Sequence, residues 1–149
     1  MRGFLLDTDV ISSLSPTRNA APAQFLDWLA QMDSDGRLFL SVVSVHEIEK
    51  GVALLEGKGA NQKASVLKTW LAGLVSTYGD RILGLDAMGA SLSGQLEAKA
   101  IAAGHSPGMA DAVVAGIAAA HSLTVLTLNI RHFLPFGVRV ASPDEVAML

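Results

Sequence analysis

The chain contains no cysteine among its 149 residues. That absence removes a disulfide framework, a thiolate zinc site and a cysteine nucleophile together, and it is compatible with a reducing cytosol. Charge is also scarce: 17% of residues are Asp, Glu, Lys or Arg, against 50% that are hydrophobic. A chain so apolar is not expected to be disordered. Aromatic residues make up only 5%, so the apolar content rests on Ala, Val and Leu, which suits helices packed closely on a sheet. No segment reaches the roughly 20 apolar residues that span a bilayer. Asp7 and Asp9 also interrupt the N-terminal apolar run too early for a signal peptide. The expectation is a cytoplasmic protein with no membrane partner. Positive charge is in deficit too. With a formal charge of −3, contact with RNA or DNA would need a local basic patch and metal ions to offset the acids.

What is present is an alternation of strand and helix signals. The length fits one domain over residues 1–149, and no internal repeat or linker interrupts it. Phe4-Leu5-Leu6 runs directly into Asp7-Thr8-Asp9, a short buried strand whose end delivers carboxylates, followed by a short helix or turn to Leu14. Phe25, Leu26, Leu29 and Met32 recur at helical spacing within 22–34, with Pro22 as a first helical residue. Residues 38–43 form a continuous apolar run suited to a strand buried on both faces. Helices over about 44–56 and 60–78 follow, then a strand at 81–85. Asp86 caps a helix over 87–103 that ends at Gly104. Residues 107–121 form a nearly all-apolar helix, 123–126 and 138–140 two more strands, and 143–145 a terminal turn. Strands alternating with helices predict an α/β fold with a parallel sheet.

In such sheets, ligands bind beyond the carboxyl ends of the strands, and polar residues of this chain gather at those ends. Asp7 suits either a helix cap or a ligand. Ser44-x-x-Glu47 suits a capping box, or places Glu47 in the first turn after a strand. Asp111 interrupts an apolar helix, and a carboxylate there must be paired, hydrogen-bonded or metal-bound. No basic residue between His105 and His121 is available to it locally. Thr127-Leu128-Asn129 follows the fourth strand, where Asn129 is either a turn residue or an oxygen donor to a hard cation. Three acids and an amide, without cysteine or paired histidines, suggest oxygen ligation of Mg²⁺ or Mn²⁺. Two such ions would clamp the attacking and leaving oxygens of a phosphodiester. His46, His105, His121 and His132 read as structural or exposed, and Glu49 and Lys50 as solvated.

In this order and spacing, the segments 5–12, 41–51 and 111–129 resemble the PIN-domain ribonucleases of the VapC toxin type, found in bacterial toxin–antitoxin pairs. The likeness runs over essentially the whole chain. It implies a three-layer α/β/α sandwich with a five-stranded parallel sheet. It also implies a metal-dependent endoribonuclease with Asp7, Glu47 and Asp111 as metal-binding acids, Mg²⁺ or Mn²⁺ as cofactor, RNA as substrate, a homodimer, and inhibition by a cognate antitoxin. Thr8, Asp9 and Thr127 then stand just behind the ligands. Two positions depart from the pattern: Asn129 where the family often has Asp, and Asp9 where it usually has Asn. Asp86 matches an acid often seen after the third strand and is taken mainly as a cap.

Two other readings stay open from the residues. Asp7 as nucleophile with Asp9 as acid would make a haloacid-dehalogenase-like phosphatase, although Lys99 is the only later lysine and no further acidic pair follows Leu85. A catalytically weakened PIN-like fold kept for protein binding would be signalled by Asn129. For substrate contacts the chain offers scattered cations, among them Arg18, Lys50, Lys58, Lys63, Arg131 and Arg139.

Overall fold

In the computed structural model, which describes residues 3–148, the chain alternates as expected. The elements are β1 (Phe4–Leu6), α1 (Thr8–Ser13), α2 (Ala23–Ser34), β2 (Leu38–Ser41), α3 (Val42–Gly57), α4 (Asn61–Tyr78) and β3 (Ile82–Leu83). They continue with α5 (Ala87–Ala102), α6 (Met109–Ala120), β4 (Thr124–Leu126), α7 (Ile130–Phe133), β5 (Val140–Ala141) and α8 (Pro143–Ala147). Single 3₁₀ turns cover Gly79–Arg81 and Leu134–Phe136. Among the described residues, no helix is long and apolar enough to cross a membrane.

All strand pairs are parallel, in the order β3-β2-β1-β4-β5. The strands are very short, and alternation within them feeds two separate cores. Leu5 and Val125 point into one layer, with Ala112, Val114, Ile117 and Phe133. Leu6 and Leu126 point into the other, with Val10, Phe25, Leu29 and Ile48. This is the period of two expected of a pleated strand, and helices cover both faces of the sheet, as an all-parallel sheet requires. The expected α/β/α sandwich and five-stranded parallel sheet are what the chain adopts.

Two local expectations need correction, and one element was not expected. The second strand ends at Ser41 rather than Val43, because Val42 already starts α3 with Ser41 in the cap position. Pro22 is the residue before α2 rather than its first. The short helix α7, at 130–133, carried no periodic signal because four residues make barely one turn.

The tightest packing is between α5 and α6. A Cβ on Gly116 would lie 2.8 Å from the carbonyl oxygen of Gly89 and 2.8 Å from Ser93 Cβ. Since backbone cannot yield as a side-chain tip does, Gly116→Ala is expected to destabilise by roughly 1–3 kcal/mol through overpacking. Gly94→Ala, also in a helix but with open space around it, should stabilise by up to about 1 kcal/mol through helix propensity. Urea unfolding of both variants checks this contrast; equal shifts would mean that α5 and α6 do not need the glycine.

Candidate functional site

The strand order locates the site before any side chain is considered. From β1 the chain steps through β2 to β3 on one side, whereas β4 and β5 lie on the other. The junction of β1 and β4 is therefore the topological switch point, where open α/β sheets bind ligands. Leu6 pairs with Leu126 there, so the next residues, Asp7 and Thr127, leave the sheet side by side.

Asp7 does two things at once. As the N-cap of α1, its Oδ1 accepts from the Thr8 amide at 2.9 Å. Its Oδ2 accepts from the hydroxyl of Thr127 at 2.9 Å. Thr127 is fully buried, and its oxygen in turn accepts from the Asn129 amide at 3.0 Å. Cap and site residue are the same carboxylate.

Glu47 is not in a capping box. Helix α3 begins at Val42, which places Ser44 inside the helix and Glu47 in its second turn. Instead, Glu47 Oε1 accepts from the Thr8 hydroxyl at 2.6 Å. With that proton committed, the buried Ser44 hydroxyl donates to Thr8 Oγ1 across 2.8 Å. Thr8 thus holds Glu47 from α1, a link that sequence spacing alone does not reveal.

Asp111 lies in the first turn of α6, half-buried, rather than deep in the apolar stretch that begins at Ala112. The partner missing from its own helix comes from α7: His132 Nδ1 stands 3.5 Å from Asp111 Oδ2. His132 is exposed, as are His46, His105 and His121. Its place beside an acid could be foreseen only by knowing that residues 130–133 fold as a helix next to α6.

Asn129 and Asp9 form a direct pair. Asn129 Nδ2 donates to Asp9 Oδ2 at 2.9 Å. Asp9 also lies 3.3 Å from the Thr127 hydroxyl and 3.3 Å from the Leu128 amide. The side chain of Asn129 is therefore engaged as a donor, and the carboxylate at that corner belongs to Asp9. Asp86 caps α5 through the Gly89 amide at 2.8 Å, as expected. Lys99, which a phosphatase mechanism would call on, has its ammonium beside Gly137.

Two of the acids, Asp7 and Asp111, bind their protons more tightly than usual. Burial, then the charge of Asp9, pushes the Asp7 carboxyl from 3.8 up to about 7, against hydrogen bonds from Thr127 and Thr8 that pull it down. Asp111 is also raised, first by burial and further by Glu47 and Asp9, with His132 opposing. Among the described residues, no lysine or arginine pairs with any of the four acids. Hard oxygen donors carrying uncompensated negative charge fit a divalent cation such as Mg²⁺ or Mn²⁺ in donor chemistry and in charge. No three acidic or imidazole groups among the described residues already converge on one point, so the side chains would have to draw together around an ion.

A parallel α/β/α sandwich with carboxylates gathered at its switch point defines the class of domain. The chain belongs to the PIN domain family, whose pattern matches residues 4–134. It is 34% identical over 143 residues to the plasmid stability protein StbB of Pseudomonas syringae pv. tomato, covering 95% of this chain and 99% of that one. It is 35% identical over 142 residues to the toxin FitB of Neisseria gonorrhoeae, covering 94% and 97%. The crystal structure of FitAcB from Neisseria gonorrhoeae superposes with a TM-score of 0.78 at 32% identity, over 95% of this chain and 98% of that chain.

The raised Asp7 has a measurable consequence. Unfolded, it titrates near 3.8, and folded near 7, so between these values the native state binds more protons and stability falls as pH rises. The loss is at most roughly 4 kcal/mol. Asp7→Asn should therefore flatten the stability profile of chelator-treated protein between pH 4 and pH 7. An undiminished fall in that variant would show that another group causes it.

Proposed function

We propose that the chain is a metal-dependent endoribonuclease acting as the toxin of a type II toxin–antitoxin pair. The observation that carries the reading is the Asp7–Thr127 bond at the switch point, with Asp9 near enough to raise Asp7, and Glu47 and Asp9 near enough to raise Asp111. Family membership supports it, as do relatives above 30% identity that are named a toxin and a plasmid stability protein. The proposed partners are RNA, a cognate antitoxin and a second copy of the chain; the proposed compartment is the cytoplasm.

In this reading Asp7, Glu47 and Asp111 hold Mg²⁺ or Mn²⁺. When bound, the cation supplies an activated water and neutralises charge developing on the phosphodiester. The chain's own part is to position the acids. Thr127 orients Asp7, Thr8 orients Glu47, and His132 stands beside Asp111. Because Asp7 retains its proton up to about pH 7 in the metal-free protein, cation binding should release a proton from it. Asp7→Asn and Asp111→Asn should each abolish RNA cleavage and growth arrest while the circular dichroism spectrum stays unchanged. Full activity in either variant would remove the site assignment.

The two departures from the family pattern make one exchange. Asp9 and Asn129 face each other across 2.9 Å, so carboxylate and amide have traded places while the charge stays at the same corner. Asp9→Asn alone should weaken Mn²⁺ binding in calorimetric titration. Adding Asn129→Asp should restore much of it, because residues in direct contact act non-additively. Additive losses in the double variant would separate the two residues.

The scattered side chains and the amide at 129 favour a second reading, a PIN fold kept for protein binding. The same titration of the unaltered protein decides between them: no heat at millimolar Mn²⁺ selects the binding module.

A further inference from the structure

In the reading proposed above the acids act on a phosphodiester, but they do not explain how a chain of net charge −3 keeps hold of a polyanion. The answer requires cations beside the acids: Arg18 and Lys63 line the cavity that contains Glu47, and Arg131 and His132 of α7 line the one that contains Asp111. The last residue of α7, Phe133, is fully buried and packs against Phe136 with ring centroids 6.1 Å apart. That anchor fixes a single helical turn on the core. The preceding residues, Arg131 and His132, are both exposed.

Both residues line two separate cavities. One, of about 240 Å³, contains Asp111, His105 and Ser106. The other, of about 540 Å³, contains Leu128, Asn129 and Ser142. The turn of α7 is therefore shared by two hollows, one containing Asp111 and the other Asn129. Arg131 forms no ion pair or hydrogen bond with any described residue, despite the carboxylates nearby. A planar guanidinium with all its donors free is suited to bidentate capture of phosphate.

Resting on the reading of the acids as a ribonuclease centre, we propose that Arg131 binds the backbone phosphate next to the scissile one. The RNA strand then crosses α7 from the Asp111 cavity to the Asn129 cavity. Three features favour a nucleic-acid strand over a docked protein segment. The Asp111 cavity is lined by polar, basic and small residues together with prolines and offers no large aliphatic side chain, whereas Leu128 and Ile130 lie in the second hollow. The two hollows share the turn of α7. One hollow contains Asp111, and the other reaches Asn129, which donates to Asp9. His132 is a positioning residue, set between Asp111 and this path.

The test uses a fluorescein-labelled single-stranded RNA 12-mer of mixed sequence, with Asp7→Asn as background so that nothing is cut. Adding Arg131→Gln should weaken binding roughly tenfold. The slope of log affinity against log salt should fall in magnitude by about 0.7, the loss of one phosphate contact on a single strand. Arg131→Lys should recover part of the affinity, since it keeps the charge and loses the fork. With Asp7 intact, Arg131→Gln should raise KM more than it lowers kcat, and the thermal shift produced by Mn²⁺ should not change. RNA binding of Arg131→Gln with undiminished affinity and salt slope overturns the proposal. If that variant instead loses only a protein partner, the α7 turn is a partner contact and the proposal falls. Should the unaltered protein neither bind nor cut RNA, the ribonuclease reading fails first and takes this one with it; cutting that is indifferent to Arg131 defeats the α7 assignment alone.

Discussion

The parallel pairing of Leu6 with Leu126 is the contact on which the rest depends. One residue further along each strand, Asp7 and Thr127 emerge together and bond at 2.9 Å, although 120 positions separate them in the chain. The same register sends Leu5 and Val125 to one core, and Leu6 and Leu126 to the other. A slip of a single residue would exchange the faces of every side chain on β1 and pull the aspartate off its threonine. Core and site are thus held by one alignment, and the hydrophobic burial that stabilises the sheet also sets the chemistry at its edge.

Against that stabilisation stands the gathering of like charge. Asp9 raises the proton affinity of Asp7, and Glu47 and Asp9 raise that of Asp111. A fold selected only for stability would separate these groups or pair them with lysine and arginine. Here the compensation is small: hydroxyls of Thr8 and Thr127, backbone amides, and one histidine. Such partners orient carboxylates without neutralising them. That arrangement suits the cation-binding centre proposed above, in a protein otherwise so apolar.

The acids are also held by unequal numbers of hydrogen bonds. Asp7 is held by two donors and Asp9 by a carboxamide, an amide and a shared hydroxyl. Asp111 has one imidazole at 3.5 Å. The β1–β4 junction therefore holds its acids by more hydrogen bonds than the α6–α7 side does. The cavity beside Asp111 lies on that less constrained side, and the one along α7 borders Asn129 of the β1–β4 side.

Much of the fold was legible in the amino-acid order. The apolar runs of β1, β2 and β4, the helical spacing of α2, and the alternation of the two kinds of element need only local physics: side-chain periodicity and burial. Asp7 and Asp111 could be singled out in the same way, since a carboxylate at a strand end or in an apolar helix is conspicuous by itself. Strand order was not legible, because any arrangement with β1 central or marginal satisfies the same periodicities. Nor was the bonding of Glu47 to Thr8, the pairing of Asp9 with Asn129, or the approach of His132 to Asp111, since each joins segments far apart in sequence. Helix α7 escaped for a different reason: one turn has no period to detect, and Phe133 holds it through tertiary burial. The sequence by itself determined which residues would carry charge into the edge of an apolar sheet. Only the tertiary structure decided which of them meet, because contact between distant segments is set by packing and register, which no single segment encodes.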